Sequence, residues 1–372
     1  VNLKLYLLKE KLTSFEKPLK AAILVVIILL AVLKRGTYIN DQSKDIYAYE
    51  KAIGDLIAGK NPYVWTVESF SNPDDPSNHG FAYFPGLLYI FAPFYILHLQ
   101  TGFPHYVLWK IPVLLADIGV GLLLFQIFKK KGILPLTTAL LIWFFNPYTV
   151  FRTGYAYADP LAIFFMFLSL TLLEKDEVLA GASYALSIAI KTFPFVIFPV
   201  VILKSKNKIA FLLSGVMVGI LISLPFLKSP QDFMTYLNGT LFVHQNRFIQ
   251  GRPFLFYISY FYKIELFQII PFGVYSLVAS FSGWVLATIA YLSKKISNKY
   301  ILSLIPFLTF YLFTPVFNRT YFMWFIPIYV TSMFDIFEKK RRILFYLSQI
   351  LFFSFASWYL IQWVDGFHIW HP

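Results

Sequence analysis

The 372-residue chain contains no cysteine. That excludes a disulfide framework and any thiolate metal site. Charge is scarce too: 14% of residues are charged and only 19 are acidic, against 58% hydrophobic and a mean hydropathy of +0.65. A soluble domain of this size cannot hide so much apolar surface. The six histidines are scattered, with no His-Glu-x-x-His spacing, so no zinc motif is present. A Walker A loop and a Gly-x-Gly-x-x-Gly turn are also missing, which argues against an ATP-driven pump and a Rossmann-type nucleotide-binding enzyme. There is no Gly/Ser linker that would set off a soluble domain. No internal repeat is evident, which counts against an inverted-repeat transporter.

What remains is a series of continuous apolar runs. They do not alternate, so they read as helices and not as barrel strands. Segments are expected near 18–34, 82–99, 106–128, 134–152, 160–173, 179–190, 193–204, 208–226, 269–292, 299–316, 321–337 and 343–363. The fold class is therefore an all-α polytopic membrane protein, a bundle of about 10–12 transmembrane or re-entrant helices. Residues 1–372 form one integral membrane domain, and Ala21–Leu33 reads as a signal anchor.

The net charge of +13 gathers in short clusters between apolar runs: Lys129–Lys131, Lys204/Lys206/Lys208, Lys294/Lys295/Lys299 and Lys339–Arg342. This is the positive-inside pattern of a cell-membrane protein, not a nucleic-acid surface. It puts the N-terminus and these clusters in the cytoplasm. Lys34 and Arg35, at the other end of the first span, count against that orientation. Two extracytoplasmic stretches follow from it, residues 35–81 and 228–263. Within the first, Asp45 to Gly59 has a helical period, with Ile46, Tyr49, Ile53, Leu56 and Ile57 on one face. An amphipathic helix over 45–59, lying at the outer interface, is expected. The segment 82–99 carries Pro85 and Pro93 and could be re-entrant. A bend at Lys191-Thr192-Phe193-Pro194 makes 179–204 a hairpin and suggests a cavity open to the outside.

Several polar residues could carry chemistry. Asp45 is suited to be a general base or the N-cap of the following helix; Asp41 shares both readings. Asp74 and Asp75 look like turn formers. Asp159, before Pro160, reads as a helix-start cap, or as a group that holds a sugar hydroxyl or orients a basic residue. Lys191 lies in an apolar stretch, where a charge costs about 2.5–3.5 kcal/mol or more. It either snorkels to the interface or meets a phosphate. Lys110 and Asp117 share one segment two turns apart, about 10 Å. Each needs another partner, which suggests a structural polar network. His244, Arg247, Arg252 and Arg319 form a basic outer set. Arginine suits bidentate phosphate contacts, although a headgroup role is open for each.

Several motifs, in order, resemble the GT-C glycosyltransferases. Asp45-Ile-Tyr-Ala-Tyr49, Leu56-Ile-Ala-Gly59-Lys-Asn-Pro62-Tyr63 and Tyr83-Phe84-Pro85 are similar to the first-loop pattern. Lys110 to Asp117, Asn146-Pro147, Gly154 to Asp159, Ile190 to Pro194 and Arg319 to Pro327 resemble later segments. The nearest branch is the polyprenol-phosphate-mannose-dependent mannosyltransferases, relatives of the GPI mannosyltransferase catalytic subunit. Gly86 stands where relatives often have a second proline, and Tyr-Ala-Tyr-Ala precedes Asp159 where glutamine is common.

The resemblance implies transfer of a hexose, mannose first, from a polyprenyl-phosphate donor to a lipid or glycan acceptor on the outer face. It implies Asp45 as base. Asp41, Tyr49, Tyr83, Asp159, Lys191, His244, Arg247, Arg252 and Arg319 would contact substrate. No cofactor is implied, although a divalent metal could assist. Two other readings are a transporter or flippase of lipid-linked glycans and a non-catalytic scaffold subunit.

Overall fold

The computed structural model describes residues 2–43, 45–71, 80–243, 250–251, 254, 258, 261–263, 272–314, 316–337 and 341–366. For some helical residues, including 2–15, 319 and 359–366, the description covers the backbone alone. The chain is an all-α polytopic membrane protein. Among the described residues the one strand pairing is a two-residue parallel bridge, Gln250–Gly251 with Val316–Phe317.

The helices begin with α1 (Asn2–Gly36), then α2 (Ile46–Ile57) and α3 (Tyr63–Ser71) in the first loop. They continue with α4 (Gly86–Thr101), α5 (His105–Leu108), α6 (Lys110–Phe128), α7 (Ile133–Phe145), α8 (Pro147–Gly154), α9 (Asp159–Leu172) and α10 (Glu177–Ile190). The remainder are α11 (Phe198–Lys204), α12 (Lys208–Ser223), α13 (Pro230–Leu237), α14 (Phe272–Leu292), α15 (Lys299–Phe313), α16 (Ile326–Phe337) and α17 (Arg342–Gly366). Three described stretches, His105–Phe128, Lys208–Phe226 and Thr320–Phe337, are long and apolar enough to cross a membrane. Shorter apolar helices fill the rest of the expected bundle. On α12, Leu213, Val216, Met217 and Leu221 are exposed, as a lipid-facing surface requires.

Three elements differ from the sequence reading. The span expected at 134–152 is two helices, α7 and α8, bent by 48° at Asn146. The residue before a proline is driven to extended backbone, and Asn146 has ψ 131. Its side chain then accepts from Tyr148 N at 3.0 Å and caps α8, with Pro147 in the first turn. Next, α3 was not anticipated. It folds back so that the Tyr63 hydroxyl donates to Tyr83 O at 2.8 Å, and Asn61 Nδ2 reaches Asp232 of α13 at 3.3 Å. Finally, α2 packs its Ile46, Tyr49 and Ile53 face on α4, but Ile57 is 44% exposed and falls off that face.

Arg35, one of the two residues that count against the expected orientation, has a structural partner. It is buried, and its Nε donates to Asp117 Oδ2 at 2.7 Å. Its Nη1 donates to Phe144 O at 2.6 Å, and Trp143 Nε1 donates to Asp117 O at 3.0 Å. These bonds tie α1, α6 and α7 together and supply the partner that Asp117 needs. The close approach of α10 to α12 depends on Gly181: a Cβ there would stand 2.1 Å from Phe211 O.

Candidate functional site

The site lies where the loop after α1, the return segment at Tyr83, the α8–α9 junction, the end of α10 and the 3-10 turn Arg319–Phe325 converge. Asp159 is its centre and is fully buried. It does not cap α9; Ala158 holds the cap position. Instead its Oδ1 accepts from Lys191 Nζ at 2.9 Å and Trp324 Nε1 at 2.7 Å. Arg152 Nη1 stands 3.6 Å from Oδ2. One carboxylate thus serves two cations and an indole.

Lys191 does not snorkel. The end of α10 leaves it extended (φ −156, ψ 141), which turns the side chain inward, and it is 9% exposed. Its Nζ lies 5.6 Å from the Tyr83 ring centroid and 6.0 Å from that of Trp324. Such cation–π contacts hold an ammonium without neutralising it. Trp324 is clamped between Tyr321 (3.8 Å) and Phe193 (4.3 Å), so the wall behind the lysine is rigid.

Sequence reasoning missed Arg152. The signal was available, since a charge inside an apolar segment is as costly there as at Lys191. Its Nη2 donates to Thr320 Oγ1, and its guanidinium carbon sits 3.8 Å over the Tyr157 ring. Arg152 Nε and Asp159 Oδ2 are buried and have no hydrogen-bond partner. Asp159 Oδ2 keeps its ion-pair contact with Arg152 Nη1. Between the two residues Ala156 takes φ 57, a region that costs a non-glycine residue about 1–3 kcal/mol. The junction is held in that shape by its neighbours.

Asp45 sits at the N-cap position of α2, but its carboxylate makes no capping bond. Ser43 Oγ accepts from the Asp45 backbone N–H at 2.9 Å, and the Tyr49 hydroxyl donates to Asp45 Oδ2 at 3.3 Å. The carboxylate is half-buried and reachable. Burial, then the charges of Asp45, Tyr83 and Asp159, push the Tyr49 phenol well above its usual pKa, against the pull of Arg152. Tyr49 therefore stays a proton donor. Of these groups, Asp45 is the one in hydrogen-bond contact with the phenol.

Asp41 is held by its backbone carbonyl, which accepts from Lys110 Nζ at 2.5 Å. His244, Arg247 and Arg252 lie outside the described residues, as do Asp74 and Asp75. Arg319 starts the 3-10 turn that carries Thr320 and Trp324; its side chain is outside the description. Among the described residues no three of His, Asp and Glu converge to hold a metal ion.

An apolar groove of about 260 Å³ runs between α10 and α12, lined by Phe84, Tyr184, Ile188, Phe198, Gly215 and Tyr236. It reaches Ala189, two residues before Lys191. The groove can take a hydrocarbon chain, and the cations beyond it can take an anion.

The model of glycosyltransferase family 87 matches residues 81–315. That stretch includes Arg152, Asp159 and Lys191 and begins after Asp45. Neither a curated protein nor a solved structure matches the chain.

Proposed function

The chain belongs to glycosyltransferase family 87 and is a membrane glycosyltransferase, and from that premise we propose that it is a GT-C enzyme moving a hexose, mannose first, from a polyprenyl-phosphate donor to a lipid or glycan acceptor. One observation carries the reading. A carboxylate that caps nothing, Asp45, accepts from the Tyr49 hydroxyl, a phenol that also feels the charges of Asp159 and Arg152, and an apolar groove reaches to within two residues of Lys191, which pairs with Asp159.

In this reading the prenyl chain lies in the groove and its phosphate meets Lys191 and Arg152. Asp159 keeps both cations charged and aimed. The acceptor oxygen attacks the anomeric carbon while the carbon–phosphate oxygen bond breaks. The hydroxyl proton goes to Asp45, and the electron pair leaves on the phosphate. A phosphate leaving group needs charge stabilisation more than a proton, which two fixed cations supply. With one base and no evident nucleophile pair, a direct displacement that inverts the anomeric centre is expected.

The test is transfer of label from radiolabelled polyprenyl-phosphate mannose to total membrane lipid or glycoprotein by the purified protein. Labelled acceptor is expected. Transfer from a nucleotide sugar, with none from the lipid donor, overturns the proposal.

We further propose that the site faces outward, as the charge clusters suggest. The cysteine-free chain allows a direct check. Lys60 and Lys208 are exposed. A cysteine at Lys60 is expected to react with an impermeant maleimide in intact cells, and one at Lys208 only after lysis. The reverse pattern would put the chemistry in the cytoplasm.

A further inference from the structure

We infer that Lys110 is a positioning residue of the reaction: it fixes the loop that ends on Asp45 to the helix that carries Arg152. The inference rests on Asp45 being the base. Lys110 opens α6 and is 9% exposed. Its ammonium donates to three backbone carbonyls, Tyr38 O at 2.6 Å, Asp41 O at 2.5 Å and Gly154 O at 2.6 Å. An ammonium has three protons, and all three are used.

The acceptors come from two separate places. Tyr38 and Asp41 belong to the irregular stretch between α1 and α2, whose last residue is Asp45. Among its described residues the backbone-to-backbone bonds are local turns, such as Asp41 N to Tyr38 O at 3.0 Å. Gly154 is the last residue of α8, where helix carbonyls lack intrahelical partners and the dipole favours a cation. Three carbonyl oxygens brought to one point repel each other, and a compact triple donor turns that repulsion into a joint. Gly154 permits the approach: a Cβ there would stand 2.9 Å from the Tyr38 ring.

The lysine is itself anchored. Its neighbour Trp109 is fully buried, stacks on Phe91 at 5.0 Å and donates from Nε1 to Phe91 O at 3.1 Å. The rigid start of α6 therefore sets the distance between the base loop on one side and the Arg152–Asp159 junction on the other. The lysine needs no contact with substrate to affect the rate.

The test measures transfer from polyprenyl-phosphate mannose to total membrane lipid, per folded protein. Lys110→Met is expected to lower kcat about 100-fold, the scale of a misplacement near 1 Å, while donor KM stays within about twofold. Lys110→Arg keeps the charge and serves if the methionine variant fails to fold. Its flat fork cannot serve three converging carbonyls, and a loss of about tenfold is expected.

A merely structural lysine would also lower stability, so the deciding readout is coupling to Asp45. Asp45→Glu keeps a carboxylate at altered reach and leaves a rate to measure. In that background the loss from changing Lys110 is expected to shrink several-fold, because residues that act through one another are not additive. Equal losses in both backgrounds, or wild-type kcat in both Lys110 variants, overturn the inference. Wild-type turnover in Asp45→Asn would instead sink the assignment of the base.

Discussion

Asp45→Asn is expected to remove transfer almost completely, by about 10²–10⁴-fold, the usual contribution of a general base. The fold should tolerate the change. Because the Asp45 carboxylate makes no capping bond to α2, losing its charge strips no helix donor. The Tyr49 hydroxyl, which donates to Oδ2 at 3.3 Å, can donate equally to an amide oxygen. Melting temperature and donor affinity should therefore stay near wild type while kcat collapses. Asp41→Asn is the control. The hydrogen bond that holds that residue to Lys110 comes through its backbone carbonyl, so the variant keeps it. If Asp45→Asn retains more than a few per cent of wild-type activity, the proton goes elsewhere.

The second large effect concerns the buried pair. Asp159→Leu is expected to destabilise the protein by about 3–5 kcal/mol, because Lys191 and Arg152 would be left buried without their carboxylate. Lys191→Met should cost less, since Arg152 and Trp324 Nε1 still serve Asp159. The double variant Asp159→Leu/Lys191→Met should recover the part of the lost stability that comes from Lys191, while Arg152 stays buried without its carboxylate. It should not recover donor binding, because the charge that meets the phosphate is gone. Thermal melting and donor affinity on the same preparations separate the two roles. Normal donor affinity in Lys191→Met would remove that residue from the phosphate site.

Much of the fold was legible because lipid enforces a simple code: apolar runs of helical length, broken by proline and basic clusters. The ends of α10, α12 and α16 fall within a few residues of their expected positions. The misses have particular causes. The break at Asn146 was hidden because Pro147 sits inside an unbroken apolar stretch, and a proline can kink a span or start a new one. The helix α3 was missed because its buried face, Tyr63, Thr66 and Ser69, is polar or aromatic, so no hydrophobic stripe marks it.

At the site, Asp45, Asp159 and Lys191 stood out as charges beside or within apolar sequence. Their partners did not. The bond from Lys191 to Asp159 spans 32 residues and that from Trp324 spans 165, and spacing carries no trace of such pairings. Arg152 was overlooked because it was absorbed into a span that the structure divides. Lys191 consequently read as an isolated charge, whereas it is half of a buried pair.

The bond between Arg35 and Asp117 also constrains how the protein is made. The two residues are 82 positions apart, so α1 leaves the ribosome well before its counter-charge exists. At about 5–20 residues per second the delay is roughly 4–16 s. Throughout it the guanidinium must stay among headgroups or water, because an unpaired arginine in hydrocarbon is costly. The joint between α1 and α6 therefore cannot close until the fragment through α6 has been inserted. Biogenesis, on this view, runs as a wait for the second charge and not as one helix after another.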